Sequence, residues 1–254
     1  MKLKDKIILV TGCGRGIGRG IAIRLAQDGA IVMLNDVDLK AIQNVRKEIE
    51  AFGGKAEEFV ADVTKLPEIN AMVRQILEKY QRIDGLVNNT GGSARARATL
   101  FHESTEEVWD YVINLNLKAL FIVTRAVINH MIERRAGKIV NISSGAGLAG
   151  QVRIADYSAT KAAVAGFTKA LAREVASYGI NVNSVAPGFI ETGLDFWKQA
   201  PQDKEDIRSG PRNQILLPWV GTPGDVANAV AFFCSEEAKY ITGEVLLVGG
   251  GSFF

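Results

Sequence analysis

The sequence predicts an α/β protein with a single doubly wound, Rossmann-type sheet whose strands are all parallel. Short valine- and isoleucine-rich runs alternate with longer segments of helical apolar spacing over almost all 254 residues. The short runs are apolar on both faces, as in strands that helices cover on both sides. Repeated strand–helix–strand units with short connections produce a parallel sheet. We therefore expect one domain, residues 1–254, with seven parallel strands and helices on both faces.

The predicted strands follow one another at regular intervals along the chain. They cover residues 7–11, 31–35, 56–60, 85–88, 138–142, 180–185 and 244–248. Between them, apolar residues recur every three or four positions, as at Ile21 and Leu25 or at Val73, Ile76 and Leu77. One segment, about 190–218, breaks this alternation with prolines, glycines and a dense run of charges. Long irregular segments in compact domains are usually functional, so we predict a substrate lid there.

Composition excludes several classes of protein. With 47% apolar residues, 23% charged residues and a net charge of +2, the chain is neither a disordered segment nor an expected partner of nucleic acid or membranes. No uninterrupted apolar run reaches the ~18 residues of a membrane span, and residues 1–11 are interpreted as a first strand, not a signal peptide. The two cysteines, Cys13 and Cys234, are too few for a disulfide framework. The two histidines are isolated in the sequence, so we expect no metal site. We expect a cytoplasmic protein.

A glycine-rich turn follows the first predicted strand and opens a helix. It reads Thr11-Gly12-Cys13-Gly14-Arg15-Gly16-Ile17-Gly18. Glycines at such a turn let backbone N–H groups approach a diphosphate, and the helix N-terminus adds partial positive charge. Glycines also serve plain turns and helix–strand packing, but this strand–turn–helix position favours a dinucleotide site.

The glycine spacing, Thr-Gly-x-x-x-Gly-x-Gly, resembles that of the short-chain dehydrogenase/reductase family. Further matches cover nearly the whole chain: Asn88-Asn89-Thr90-Gly91, Asn116, Ser144, Tyr157 with Lys161, and Pro187-Gly188 followed by Thr192. The chain departs from the family at Thr90, where alanine is usual. The resemblance implies a nicotinamide-dependent oxidoreductase.

The coenzyme is predicted to be NAD, with NADP disfavoured. Asp36 ends the second strand, where a carboxylate accepts hydrogen bonds from the adenosine ribose and repels a 2′-phosphate. Arg15 argues the other way, because basic residues in the glycine turn often contact that phosphate in family members that use NADP. The alternative for Asp36 is a solvated turn residue.

The resemblance assigns the remaining cofactor contacts residue by residue. They are Gly12, Arg15, Gly16, Ile17, Gly18, Asp62, Val63, Asn89, Gly91, Tyr157, Lys161, Pro187, Gly188, Ile190 and Thr192. Asp62 and Val63 are expected at the adenine edge, although Asp62 could instead cap a helix beside Thr64. Thr192 matches the residue that binds the nicotinamide carboxamide.

Tyr157 and Lys161 are the predicted catalytic pair. They are four residues apart in a helical pattern and therefore share a face. We expect the Lys161 ammonium, with the oxidised nicotinamide, to lower the pKa of the Tyr157 phenol from about 10, so that it exchanges a proton with an alcohol or ketone. Lys161 would also bind the nicotinamide ribose. The alternative is an ordinary amphipathic helix.

Two further residues complete the predicted catalytic set. Ser144 offers a hydroxyl to the substrate oxygen, and its spacing to Tyr157 favours it over the adjacent Ser143. By resemblance, Asn116 kinks the central helix, and its main chain holds a water that links Lys161 to solvent. Asn114 is the competing position.

The sequence does not identify the substrate. Arg95, Arg97, Arg153, Arg208 and Arg212 lie in segments expected to contact it. Two or more pointing inward would indicate an anionic substrate, whereas a solvated basic surface is the alternative. The terminal Phe253 and Phe254 are predicted to be covered at a subunit interface, and the family implies a homotetramer.

We predict an NAD(H)-dependent oxidoreductase that interconverts a secondary alcohol and a ketone. An alternative within the family is an NADPH-dependent reductase of 3-oxoacyl thioesters on acyl-carrier protein. An alternative of another class is a non-catalytic nucleotide-binding scaffold, which would be expected to lose part of the Ser144, Tyr157 and Lys161 set.

Overall fold

The computed structural model describes residues 1–193 and 215–252 and confirms the predicted fold class. Within these residues seven strands form one parallel sheet in the order β3-β2-β1-β4-β5-β6-β7. The strands are β1 (Ile7–Thr11), β2 (Ile31–Asp36), β3 (Lys55–Val60), β4 (Gly85–Asn88), β5 (Gly137–Ile142), β6 (Ile180–Pro187) and β7 (Val245–Val248). Their bounds agree with the predicted strands to within two residues.

Helices connect the strands and cover both faces of the sheet. They are α1 (Gly16–Gln27), α2 (Leu39–Ala51), α3 (Leu66–Tyr80), α4 (Glu106–Ile113), α5 (Ala119–Arg134), α6 (Gly145–Ala149), α7 (Ala155–Val175) and α8 (Pro223–Cys234). A π-helical turn, Asn114–Lys118, joins α4 to α5. Short 3₁₀ turns occur at Arg95–Arg97 and Phe101–Glu103 in the connection that follows β4.

Alternate residues of each central strand enter two separate cores. In β1, Ile8 and Val10 belong to the core under α1, α2 and α8, whereas Ile7 and Leu9 belong to the core under α3, α5 and α7. This two-sided burial explains the continuous apolar runs of the central strands. The prediction is wrong for β3, which lies at the sheet edge and buries only Phe59, so its charged residues stay near solvent.

The strand order reverses between β1 and β4, and this sets the position of the ligand crevice. The chain builds β1, β2 and β3 outward in one direction and then returns to place β4 on the other side of β1. Connections from the carboxyl ends of β1 and β4 therefore leave toward opposite faces. In such sheets the gap between them binds ligands.

Buried amides hold the carboxyl ends of β4 and β5 in place. Asn88 Nδ2 donates to Thr124 Oγ1 at 3.0 Å and to Asn141 Oδ1 at 2.9 Å. Asn141 Nδ2 in turn donates to Thr168 Oγ1 at 3.0 Å. These bonds tie α5 and α7 to the strand ends from which the site is built.

The stretch Glu106–Arg134 is a continuous helix of 29 residues with a mean hydropathy of 1.5 in its most apolar window. By length and composition it could cross a membrane, although the sequence showed no uninterrupted apolar run of that length. Half of the window is packed inside the protein, as in the core helix of a soluble protein. The property is therefore weak support for a membrane span.

The predicted lid lies mostly outside the described residues. Of segment 190–218, residues 190–193 and 215–218 are described, and Ile190 forms a parallel bridge with Gly221. Arg208, Arg212, Phe253 and Phe254 also lie outside.

Candidate active site

A cleft of about 740 Å³ opens at the carboxyl ends of the strands, where the strand order reverses. It runs from the glycine turn and Asp36 at one end to Ser144, Tyr157 and Lys161 at the other. The predicted residues that line it are Gly12, Arg15, Gly16, Ile17, Gly18, Asp36, Asn89, Gly91, Ser144, Tyr157, Lys161, Pro187, Gly188 and Thr192. Residues far apart in sequence thus meet in one crevice.

The glycine turn can exist only without side chains at its tightest points. Gly12 and Gly16 have φ angles of +60° and +55°, in the left-handed region that favours glycine. A Cβ on Gly18 would lie 2.2 Å from the carbonyl oxygen of Gly12. Helix α1 begins at Gly16, and no side chain caps its N-terminus at Arg15. Its first N–H groups are therefore available to an anion in the cleft.

Asp36 is fixed at the rim of the cleft rather than solvated in a free turn. Its Oδ2 accepts a hydrogen bond from the Gly14 N–H at 2.9 Å, and its Oδ1 accepts one from the Asp38 N–H at 3.2 Å. A Cβ on Gly14 would lie 3.0 Å from Oδ2 and 2.7 Å from the Cβ of Ala41. The carboxylate is consequently held beside the glycine turn.

Asn89 supports the same turn from the end of β4. Its Nδ2 donates to the carbonyl oxygens of Thr11 and Gly12 at 3.0 and 2.8 Å. The Thr11 hydroxyl accepts hydrogen bonds from the N–H groups of Asn89 and Thr90. Asn89 therefore lines the cleft and also fixes the backbone of the turn.

Three predicted cofactor residues do not belong to the lining of this cleft. Val63 and Ile190 are buried in the two hydrophobic cores. The Asp62 Oδ1 accepts hydrogen bonds from the N–H and hydroxyl of Thr64, at 2.9 and 2.7 Å. Asp62 thus makes a local turn and does not cap a helix, because the N-cap of α3 is Lys65.

Ser144 and Tyr157 face each other at the inner end of the cleft. Ser144 follows β5 and is the N-cap of α6. Its Oγ accepts a hydrogen bond from the Ala146 N–H at 3.2 Å. Tyr157 lies in the first turn of α7, and its hydrogen bond with the Ser144 hydroxyl lowers its pKa. The adjacent Ser143 instead donates to the Lys161 carbonyl at 2.7 Å and joins β5 to α7. The structure therefore brings Ser144, not Ser143, to Tyr157.

The protein itself raises the pKa of Tyr157, whereas the sequence predicted that Lys161 and the oxidised nicotinamide would together lower it. Burial is the largest influence on this phenol and raises its pKa, while Ser144 and the cationic Arg95 lower it in part. Lys161 Nζ lies 5.7 Å from the centroid of the Tyr157 ring and donates to the Ile142 carbonyl at 2.9 Å. Burial also lowers the pKa of Lys161 to about 8. Desolvation disfavours the charged form of both groups.

Asn116 lies in the π-helical turn, where the sequence had suggested a kink. Its Nδ2 donates to the carbonyls of Gly92 and Val112 at 2.8 and 2.9 Å, and its Oδ1 accepts from the Gly92 N–H at 3.1 Å. A Cβ on Gly91 would lie 2.6 Å from Asn116 Oδ1 and 2.9 Å from Lys161 Nζ. Asn116 is therefore beside Lys161, whereas Asn114 lines a separate shallow depression.

The cleft fits a dinucleotide in shape and in chemistry. Glycines form one wall of the cleft, where side chains would fill the space. The uncapped N-terminus of α1 faces the cleft, and the carboxylate of Asp36 lies at its far end. Among the described residues, no group of three histidine, cysteine, aspartate or glutamate side chains is placed to hold a metal ion.

Comparison with known proteins identifies the family. The family model described as short chain dehydrogenase matches residues 6–203. The chain belongs to the short-chain dehydrogenase family. It is therefore an oxidoreductase that acts on CH–OH or keto groups with a nicotinamide coenzyme.

Individual relatives agree over the full length of the chain. A 3-oxoacyl-(acyl-carrier-protein) reductase from Thermotoga maritima is 41% identical over 251 residues, which is 99% of each chain. The BbsD subunit of a hydroxy(phenyl)methylsuccinyl-CoA dehydrogenase from Thauera aromatica is 38% identical, over 99% of this chain and 98% of its own. A crystal structure of a 3-oxoacyl reductase from Brucella melitensis with bound NAD superposes with a TM-score of 0.88 at 31% identity, covering 100% of this chain and 93% of that one.

The predicted arginines take different positions in this short-chain dehydrogenase. Arg97 and Arg153 are exposed and line a small cavity beside the active site that also includes Asp156. Arg97 forms an ion pair with Glu107 at 2.9 Å. Arg95 is partly buried, and its charge lowers the pKa of Tyr157. Of the described arginines predicted to contact substrate, Arg95 is thus the one that influences the catalytic phenol.

Several cleft residues carry no sequence signal of their own. Tyr111 and Leu115 reach the cleft from α4 and the π-helical turn. Val37 and Asp38 reach it from the connection before α2, and Ala41 from the first turn of that helix. Their residue types are ordinary for exposed helix faces. Only the packing of α4 beside α7 and of α2 beside α1, the helix that follows the glycine turn, brings them there. The family motifs named Thr90, which also lines the cleft, but not these five.

Proposed function

We propose that this short-chain dehydrogenase interconverts a secondary alcohol and a ketone with NAD(H), and that Tyr157 is its general acid/base. The observation that carries the proposal is one cleft with two chemically different ends. Asp36 and the glycine turn line one end of the cleft. Ser144, Tyr157 and Lys161 line the other end. When bound, the nicotinamide dinucleotide supplies or accepts the hydride.

The residues divide into those that hold the coenzyme and those that act on the substrate. The glycine turn and the N-terminus of α1 would hold the diphosphate, Asp36 the adenosine ribose, and Pro187, Gly188 and Thr192 the nicotinamide end. Ser144 would donate a hydrogen bond to the substrate oxygen as charge develops there. Tyr157 would exchange the proton with that same oxygen.

The protonation states favour ketone reduction in the isolated protein. Because burial raises the pKa of Tyr157, the phenol is protonated at neutral pH and can give its proton to a ketone oxygen. Lys161, with a pKa of about 8, is mostly charged at pH 7. It can therefore stabilise the phenolate left after proton transfer. From its position beside Gly91 it would bind the nicotinamide ribose.

NAD is favoured over NADP by the fixed carboxylate of Asp36. A 2′-phosphate there would meet a negative group already held by two backbone N–H groups, and like charges brought together cost several kcal/mol. The NAD-bound relative supports the same coenzyme. Arg15 is exposed at the cleft and would favour NADP. We expect the effect of Asp36 to dominate.

The alternative substrate is a 3-oxoacyl thioester on acyl-carrier protein. It is supported by the name of the Thermotoga maritima relative, which shares 41% of its sequence with this chain. That reaction uses the same Tyr157 chemistry, so the site does not discriminate it from a simple ketone. Activity with acetoacetyl thioesters, compared with free ketones, would decide between them.

The proposal is tested by replacing Tyr157 with phenylalanine. Loss of a positioned acid/base should lower kcat by about 100- to 10,000-fold, with NADH binding unchanged. The matched change Tyr178→Phe, in the 3₁₀ turn that follows α7, should leave both kcat and NADH binding unaffected. Turnover by Tyr157→Phe at the wild-type rate would refute the acid/base role. Bound NADH without hydride transfer to any ketone would instead indicate a nucleotide-binding scaffold.

The coenzyme is tested with Asp36→Ala. The wild type should show higher kcat/KM with NAD than with NADP, and the substitution should raise activity with NADP while weakening NAD. An NADP preference in the wild type would refute the assignment to Asp36.

Assembly and localisation remain predictions. Leu246 in the edge strand β7 is 42% exposed and Tyr240 is 99% exposed, which supports a surface covered by another subunit. A homotetramer should be measured by light scattering, and cytoplasmic location by cell fractionation.

A further inference from the structure

A second cavity lies at the amino ends of the strands, at the opposite edge of the sheet from the coenzyme cleft. Its volume is about 260 Å³, and its lining comes from the starts of β1, β4, β5 and β6 and from the end of α8. Lys138 lines this cavity and Ile142 lines the cleft, so along β5 the two sites are about 13 Å apart. The proposed reaction therefore makes no use of this cavity.

Three lysines from separate segments line the cavity. Lys6 precedes β1, Lys138 is the second residue of β5, and Lys239 ends the 3₁₀ turn that follows α8. Within residues 1–193 and 215–252, the ammonium groups of Lys6 and Lys239 have no hydrogen-bond or ion-pair partner. Two of the three charges are thus available to a ligand.

The third ammonium group, that of Lys138, is held in place by Asn181 on the neighbouring strand. Asn181 Nδ2 donates to the carbonyl oxygens of Lys239 and Ile241 at 3.1 and 3.0 Å, which turns its Oδ1 toward Lys138. Lys138 Nζ donates to that Oδ1 at 2.7 Å. This bond uses one of the three N–H donors of the ammonium group, so a ligand could accept from the others.

A glycine leaves the space beside Lys138 open. In the sheet register, Lys138 has Asn181 on one side and Gly85 on the other. A Cβ on Gly85 would lie 3.2 Å from the side chain of Ile8, which also lines the cavity. Because a cavity needs only about 10–15 Å³ to admit one water, this one has room for an ion of several heavy atoms.

One of the two carboxylates in the lining is already compensated by arginines. Asp84 Oδ1 accepts from Arg134 Nη2 at 3.1 Å, and its Oδ2 accepts from Arg82 Nε at 3.1 Å and from the Ile7 N–H at 2.9 Å. The other carboxylate, that of Glu236, is exposed. Asp84 therefore does not neutralise the lysines.

The remaining charges leave the cavity positive. The carboxyl end of α8 adds a partial negative charge of about half an elementary charge. Three ammonium groups exceed that partial charge and the Glu236 carboxylate together. Burial lowers the pKa of Lys138 most; Glu236 and Cys234 raise it, and the like charge of Lys6 lowers it. An anion between Lys6 and Lys138 would offset both their repulsion and the cost of burial.

We propose that this cavity binds a diphosphate group through Lys6, Lys138 and Lys239. The site is separate from the coenzyme cleft, and the proposal does not depend on the proposed function. Ammonium groups bind phosphate as point charges and require no fixed fork geometry. Three of them on separate segments suit an anion whose charge is spread over two phosphates better than a single phosphate.

Calorimetric titration of sodium pyrophosphate into the NADH-loaded enzyme, without magnesium, tests the proposal. NADH fills the coenzyme cleft, whose helix N-terminus could otherwise bind the same ion. The wild type should bind one pyrophosphate per chain, and inorganic phosphate at least about tenfold more weakly. Lys138→Gln should weaken the Kd of pyrophosphate by about tenfold or more.

Three other variants separate ligand binding from a structural role. Lys6→Gln and Lys239→Gln have no hydrogen bond within the described residues to lose and should each weaken pyrophosphate by about threefold or more. They keep the test valid if Lys138→Gln fails to fold. Lys47→Gln removes the same charge from an exposed position of α2 and should keep the wild-type Kd. NADH should bind equally to all four variants.

The outcomes that would overturn the proposal are distinct. They are no binding to the wild type at about 10 mM pyrophosphate, a Kd unchanged in the cavity variants, or the same loss in Lys47→Gln. Binding that NADH abolishes would place the ion in the coenzyme cleft and would also overturn it. In the wild type, ADP binding more tightly than pyrophosphate would indicate a diphosphate carried by a nucleotide, and the reverse order would indicate the free ion.

Discussion

Lys161→Met should stabilise the protein while abolishing its activity. Lys161 is 3% exposed, and burial lowers its pKa from an ordinary value of 10.5 to about 8. That difference corresponds to about 3 kcal/mol by which the buried charge opposes folding at pH 7. Methionine keeps the apolar stem and removes the charge.

One loss opposes this gain. Lys161 Nζ donates to the Ile142 carbonyl at 2.9 Å, and leaving that carbonyl without this donor costs about 1–2 kcal/mol. We therefore expect Lys161→Met to unfold with a free energy about 1–2 kcal/mol higher than the wild type at pH 7.

The pH dependence identifies the cause. A lysine whose pKa is lowered on folding destabilises the protein fully below about 8, and the penalty disappears as pH rises through 8 toward 10.5. The advantage of Lys161→Met should therefore shrink by about 2–3 kcal/mol between pH 7 and pH 10. Other groups titrate over that interval, but they do so in both proteins and cancel in the difference.

Urea unfolding at one fixed protein concentration measures both values, with the enzyme free of coenzyme. Lys169→Met, at an exposed position of α7, is the control and should change the free energy of unfolding by less than about 0.5 kcal/mol at either pH. A Lys161→Met protein less stable than the wild type at pH 7, or a stability difference independent of pH, would refute the reasoning.

Two other substitutions test the parts of the fold that hold the site. Asn88→Ala removes two buried hydrogen bonds, at 3.0 and 2.9 Å, and should lower the free energy of unfolding by about 2–3 kcal/mol in urea titrations. An effect below about 0.5 kcal/mol would show that the amide network does not support β4. Gly18→Ala places a Cβ 2.2 Å from the Gly12 carbonyl and should abolish NADH binding measured by fluorescence. Gly224→Ala, whose Cβ would make ordinary contact at 3.5 Å, should bind NADH normally, and equal binding by both variants would contradict the tight-turn argument.

The features that the sequence predicted well depend on residues that are close together along the chain. The strands are recognisable because two-sided burial requires nearly continuous apolar runs. The two edge strands, β3 and β7, depart from this burial pattern. The glycine turn depends on the backbone of a few neighbouring residues, so its glycine spacing can be recognised in the sequence itself. Tyr157 and Lys161 share a helix face because they are four residues apart, a relation that needs no tertiary information.

The features that sequence could not predict depend on what packs against a side chain. Arg95 and Arg97 have the same chemistry and are two residues apart, yet Arg97 is exposed and paired with Glu107, whereas Arg95 is partly buried. No short-range pattern distinguishes these outcomes.

The sequence alone determined the family, the parallel sheet and the motif residues of the glycine turn and of the Ser144, Tyr157 and Lys161 set, because periodicity and motif spacing are properties of neighbouring residues. The tertiary structure alone decided the direction of the Tyr157 and Lys161 pKa shifts and which arginine approaches the phenol. Both depend on desolvation and on charges brought together from distant segments. Those quantities are set only when β5, α7 and the connection after β4 pack against one another.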